Sequence, residues 1–139
     1  MKPALLDTDI LLDILHGSSP IVQSNAQRYL GAYGHYTISA VTIAELARGA
    51  SRGGGSNEWL DVLLEQVEVL PLGVSSARLS GQIYAELERV GQTVGLADSL
   101  IAGIALEYGR VLVTANTRHY LRIVQLGYPL EVVNWREGE

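Results

Sequence analysis

Strand-like and helix-like segments alternate along the whole chain, and this restricts the fold more than any other feature. Pro3 to Leu6 is a short apolar run suited to a buried strand, and Asp9 to Leu15 has helical spacing brought to a stop by Gly17 and Pro20. A second helix is expected from Ser19 or Pro20 to about Leu30, then a strand in "HYTISA" and a helix in "VTIAELARGA". "SRGGGSN" reads as a flexible turn, "EWLDVLLEQ" as a helix and "VEVLPL" as a strand. Ser75 or Ser76 is the expected cap of the helix "ARLSGQIYAELERVG". A buried helix rich in small residues follows over 95–109, then the strand "RVLVTAN", the helix "TRHYLRIVQLG" and an edge strand "LEVVNW". Such alternation predicts an α/β protein with a mostly parallel central sheet of four to five strands, covered by helices on both faces. No linker or repeat divides the chain, so residues 1–139 are read as one domain.

Within the first strand and helix, "PALLDTDILLDIL", an apolar run is broken by Asp7 and Asp9. An ionised carboxylate loses its hydration on burial and needs a partner. In open parallel α/β sheets, sites gather outside the carboxyl ends of the strands. Asp7 falls at the end of the first strand and Glu45 in the helix after the second. Asp98 lies near the start of the helix that leads back to the fourth strand, which Asn116 ends. All four are expected on one rim. Three carboxylates converging there repel: two unit charges about 4 Å apart cost on the order of 4 kcal/mol at an effective dielectric of about 20. A hard divalent cation relieves this, and Mg²⁺ or Mn²⁺ prefers oxygen ligands while keeping positions for water and phosphate oxygens. Asp7, Glu45 and Asp98 are therefore the expected metal ligands.

Composition narrows the chemistry. There is no cysteine, which excludes disulfides, thiolate metal sites and thiol nucleophiles. No run of about 18 apolar residues and no leader-like N-terminus is present, so a cytoplasmic protein without membrane contact is expected. The formal net charge of −5 argues against coating duplex DNA. Lys2 is the only lysine among ten basic residues.

Four blocks, "LLDTDILLDIL", "ISAVTIAELARGA", "VGLADSLIAGIAL" and "VLVTANTRHY", together resemble the signature blocks of the PIN-domain family, most closely its VapC-type ribonuclease toxins. The resemblance implies a PIN-like three-layer α/β/α fold and a Mg²⁺-dependent endoribonuclease, with Mn²⁺ able to substitute. It also implies a homodimer silenced by a cognate VapB-like antitoxin, through which alone DNA is met. By position Asp7, Glu45 and Asp98 match the family's first three acids. Asn116 falls where many PIN domains carry a fourth acid, and completes the expected catalytic set. Asp9 stands where a small polar residue is usual.

Other readings belong beside these. Asp7 and Asp9 each have a plain helix-cap reading beside the site reading, and Thr114 is either a plain strand residue or a group that positions a carboxylate. Arg48, Arg118 and His119 are weaker candidates, and Asp13 reads as structural. Metal-held carboxylates support water attack on an RNA phosphodiester, leaving a 5′-phosphate and a 3′-hydroxyl. His16, His35 and His119 are scattered, against a two-histidine ribonuclease. "LLDTDIL" also resembles the start of haloacid-dehalogenase-like phosphatases and of phosphoacceptor receivers, but both need a distal lysine that this chain lacks. A catalytically silent PIN fold acting as an RNA- or protein-binding scaffold is the competing reading. The low count of basic side chains points to a structured RNA, a tRNA or rRNA loop, recognised by shape and a few bases.

Overall fold

Every strand except the last is followed by a helix. The computed structural model describes residues 1–138. In chain order the elements are β1 (Ala4–Leu6), α1 (Thr8–His16), α2 (Pro20–Tyr33), β2 (Thr37–Ser39), α3 (Ala40–Gly53) and α4 (Glu58–Gln66). They continue as β3 (Glu68–Leu70), α5 (Val74–Arg89), α6 (Leu96–Tyr108), β4 (Val111–Val113), α7 (Thr117–Gln125) and β5 (Val132–Val133).

Side chains of successive strand residues point to opposite faces, and this sorts the interior into two cores. Ala4 and Leu6 of β1 and Val111 and Val113 of β4 face a core shared with Ile10 and Leu11 of α1, Val22 and Tyr29 of α2 and Leu60 and Leu63 of α4. Leu5 and Leu112 face the other core, with Ile83 and Leu87 of α5, Ile101 and Ile104 of α6, and Tyr120 and Ile123 of α7. The result is the expected three-layer α/β/α arrangement.

Among the described residues all strand pairings are parallel, but the five strands form two sheets. One has the order β1-β4-β5, and the other pairs β2 with β3. β2 runs close to β1, yet among the described residues no ladder joins them. Side chains clasp this seam at both ends. At one end the Thr8 and Thr42 hydroxyls lie 2.9 Å apart. At the other, Arg110 donates to Glu68 Oε1 at 3.0 Å and to Thr37 Oγ1 at 3.3 Å, while Thr37 donates to the same Glu68 oxygen at 2.7 Å. That hydrogen bond from Thr37, followed by the Arg110 charge, holds the Glu68 carboxyl below its ordinary range. Arg110→Met should therefore cost about 1 kcal/mol in urea denaturation, the range of a partly exposed charged hydrogen bond. A midpoint equal to the parent's would remove Arg110 from the clasp.

Two local expectations are corrected. Neither Ser75 nor Ser76 caps α5: the helix begins earlier, at Val74, with Gly73 as the cap residue. Ser76 lies inside the helix, fully buried, and its hydroxyl donates to Glu107 of α6. The turn expected from Ser51 also starts later, because α3 runs on to Gly53 and stops where Gly54 turns left-handed at φ 67°. Among the described residues no helix is long and apolar enough to cross a membrane.

Candidate metal centre and active site

Asp7 follows directly from the β1 ladder, its N–H donating to Val113 O at 2.9 Å. Its extended backbone makes it the N-cap of α1, with Oδ1 accepting from Thr8 N at 2.9 Å. The cap role left open for Asp9 thus falls to Asp7. Oδ2 of Asp7 accepts from the Thr114 hydroxyl at 2.8 Å and from the Tyr120 hydroxyl at 3.2 Å. Thr114 is fully buried beyond β4 and so holds a carboxylate in place.

Asp98, in the first turn of α6, meets the same phenol: Tyr120 OH lies 3.3 Å from Asp98 Oδ1. One hydroxyl therefore joins the two acids. The other oxygen of Asp98 is 3.3 Å from His119 Nδ1, which lies 2.8 Å from Asn116 Nδ2. Asn116 is placed at the start of α7 by its N–H, which donates to Thr114 Oγ1 at 3.0 Å. Asp9 accepts from Ile10 N at 2.7 Å and from Ala115 N at 3.0 Å, and so ties α1 to the end of β4.

Glu45 stands apart. It is exposed on α3, beyond the seam, and accepts from Thr8 Oγ1 at 2.7 Å. Its link to the other acids runs through Thr8, the residue next to Asp7. Among the described residues no three His, Asp or Glu side chains are grouped closely enough to hold a metal ion. Asp7, Asp98 and Asn116 are brought together around Tyr120 and His119, whereas Glu45, on α3, is linked to them only through Thr8 among the described residues.

The electrostatics concern Asp7 above all. Only 6% of its surface is exposed, and its carboxyl is pushed up to about 7, first by burial and then by the Asp9 charge, against the hydrogen bond from Thr114. Burial likewise raises Asp9. Tyr120 is held far above its ordinary value by burial and by both aspartates, so its hydroxyl remains a neutral donor. Among the described residues no Lys, Arg or His donates a hydrogen bond to Asp7. A buried acid in the company of other acids, offering only hard oxygen donors, fits a divalent cation such as Mg²⁺ or Mn²⁺.

Thr8 and Tyr120 escaped the sequence reading. A tyrosine on the buried face of α7 needs a partner for its hydroxyl, and that was the available signal. Nothing local marks Thr8, whose partners Thr42 and Glu45 are distant in sequence.

Comparison with known proteins bears on this arrangement. The family model for the PIN domain matches residues 4–124. The chain belongs to the PIN domain family. This PIN domain is 34% identical over 126 residues to a tRNA(fMet)-specific endonuclease VapC of Shigella flexneri, covering 88% of this chain and 93% of that one. It is 29% identical to ribonuclease VapC2 of Rickettsia felis, covering 88% and 92%. The crystal structure of DNA-bound VapBC from Salmonella typhimurium matches with a TM-score of 0.78 and 30% identity, over 97% of this chain and 99% of that one.

Proposed function

We propose that this PIN domain is the ribonuclease toxin of a VapBC-like toxin–antitoxin pair, a Mg²⁺-dependent endoribonuclease that cuts structured RNA such as a tRNA or rRNA loop. The observation that carries this reading is Asp7: a buried carboxyl raised to about 7, joined to Asp98 by one hydroxyl and, among the described residues, with no basic side chain donating to it. The relatives named as ribonucleases and as a tRNA(fMet)-specific endonuclease support RNA as the substrate class.

Asp7 and Asp98 would hold the divalent ion, with Glu45 reaching in from α3. When bound, such an ion lowers the pKa of water and neutralises charge that builds on phosphoryl oxygens during in-line displacement. The chain's own groups do the rest. Thr114 and Thr8 N fix the Asp7 carboxylate, while the Thr8 hydroxyl donates to Glu45 and holds it in place. The Asn116 amide, beside His119, is available to hold the substrate or an attacking water by hydrogen bonds without adding charge. The products are a 5′-phosphate and a 3′-hydroxyl.

The proposed partner is a VapB-like antitoxin, in keeping with the VapBC assembly solved from Salmonella typhimurium. Beside Glu45 lies a mostly apolar groove lined by Leu12, Leu15, Leu46, Trp59 and Leu63. An apolar antitoxin segment seated there could direct an arginine onto the acids, since a guanidinium makes bidentate bonds with carboxylates. The toxin itself is read as a homodimer that meets DNA only through this partner.

The deciding experiment incubates purified protein with folded tRNA and rRNA fragments and Mn²⁺, with and without EDTA, beside an Asp98→Asn control. Cutting that needs the metal and disappears in the control is the expected result. RNA bound but uncut under all conditions would instead establish the scaffold reading, which the neutral Asn116 and the separation of Glu45 favour.

A further inference from the structure

We infer that Tyr120 is a positioning residue that fixes Asp7 and Asp98 relative to each other for the divalent cation, an inference that rests on the metal-site reading above. Its ring lies fully buried in the core that also holds Leu112, Ile104 and Ile123. The ring is therefore set by packing, and its hydroxyl occupies a fixed point. Among the described residues that hydroxyl has two hydrogen-bond partners, Asp7 Oδ2 at 3.2 Å and Asp98 Oδ1 at 3.3 Å. A phenol has one proton, and both distances are longer than an optimal bond of about 2.7 Å, as expected for one proton shared between two acceptors. The two acids arrive on separate elements, Asp7 at the end of β1 and Asp98 in the first turn of α6. Among the described residues no other side chain bonds to both.

Outer partners that orient metal-ligating carboxylates commonly set metal affinity by about 10- to 100-fold. Tyr120 has the geometry of such a partner. It is fully buried and its hydroxyl bonds to the two aspartates, so its effect on cleavage would pass through them.

The test measures Mn²⁺ binding to the RNA-free protein by electron paramagnetic resonance in four proteins: the parent, Tyr120→Phe, Tyr29→Phe and Asp98→Asn. Tyr29 is the matched control, a second buried tyrosine whose hydroxyl accepts from Ala4 N at 2.9 Å on the same strand that carries Asp7. Tyr120→Phe should weaken Mn²⁺ binding about tenfold or more, while Tyr29→Phe leaves it within about twofold of the parent. Unchanged Mn²⁺ affinity in Tyr120→Phe, with binding lost in Asp98→Asn, overturns the role of Tyr120 and leaves the metal site standing. Unchanged affinity in Asp98→Asn overturns the metal-site reading and this inference together. Equal weakening in both tyrosine variants shows a general packing effect and also overturns the role. If Tyr120→Phe does not fold, the parent labelled with ¹³C-tyrosine gives the same answer. Mg²⁺ addition must then shift the Tyr120 Cζ resonance and leave that of Tyr29 in place, and a motionless Tyr120 signal overturns the inference.

Discussion

Replacing Asp7 by Asn should abolish cleavage and at the same time stabilise the metal-free protein. The Asp7 carboxyl titrates at about 7 in the fold, against roughly 3.9 in an unfolded chain. A folded-state value above the unfolded one means that the native state prefers the protonated acid. Its contribution to stability is full below about pH 4, declines as pH rises, and is lost once pH passes about 7. The gap corresponds to about 4 kcal/mol as an upper bound. Asn keeps the shape and has an oxygen for the Thr8 N–H, while the Thr114 and Tyr120 hydroxyls can accept from its amide. At pH 8 without metal, Asp7→Asn should gain about 2–4 kcal/mol in denaturant unfolding, and the gain should shrink towards pH 5. Asp13 and Glu68, held low by hydrogen bonds from Arg136 and Thr37 respectively, act in the opposite sense and favour the fold above the ordinary carboxylate range. Cleavage should fall by at least about 100-fold, as when an interaction needed in the transition state is removed. Equal stability of parent and variant at pH 8 would show that Asp7 carries no buried-charge penalty.

The second large effect is expected where α5 meets α6. A Cβ added to Gly103 would stand 2.7 Å from Ser76 O and closer still to the Ser80 hydroxyl. Backbone cannot yield there as a flexible side chain would, because Ser80 Oγ already donates to Ser76 O at 2.7 Å and Ser76 donates to Glu107. Gly103→Ala should therefore cost about 3 kcal/mol or more, despite the better helix propensity of alanine. Gly81, exposed on α5 with nothing within 4 Å of an added Cβ, provides the contrast. Gly81→Ala should stabilise by about 0.5–1 kcal/mol. Since α6 also carries Asp98, Gly103→Ala should weaken Mn²⁺ binding even below its melting temperature. Melts of the two variants moving in the same direction would refute the close approach of the helices.

Local pattern made much of this molecule readable. The apolar runs of β1 and β4 and the small-residue helix α6 were visible because strand and helix periodicities are local properties. The acids stood out because charge is costly in an apolar run. What escaped depends on pairs distant in sequence. The gap between β1 and β2 is a matter of ladder formation between strands more than 30 residues apart, and no local pattern encodes it. Ser76 looked like a cap because serine favours that position, but its contact with Glu107 on another helix keeps it inside α5. Asp7 both caps α1 and bonds to Thr114 and Tyr120, a double duty that only the folded chain reveals.

The seam between the two sheets gives the acids unequal fates under mechanical or chemical stress. Asp7 and Asn116 are anchored to hydrogen-bonded neighbours, β1 and β4, and Asp98 is tethered to them through Tyr120. Glu45 is carried by α3, which follows β2 on the far side of a boundary held by side chains. Partial opening costs less along such a boundary than through a ladder. Amide hydrogens of β2 and β3 should therefore exchange before those of β1 and β4, and loss of the hydrogen bond between Thr8 and Glu45 should precede loss of the fold. Where Glu45 serves the proposed site, the chain then passes through a state that is still folded but disarmed.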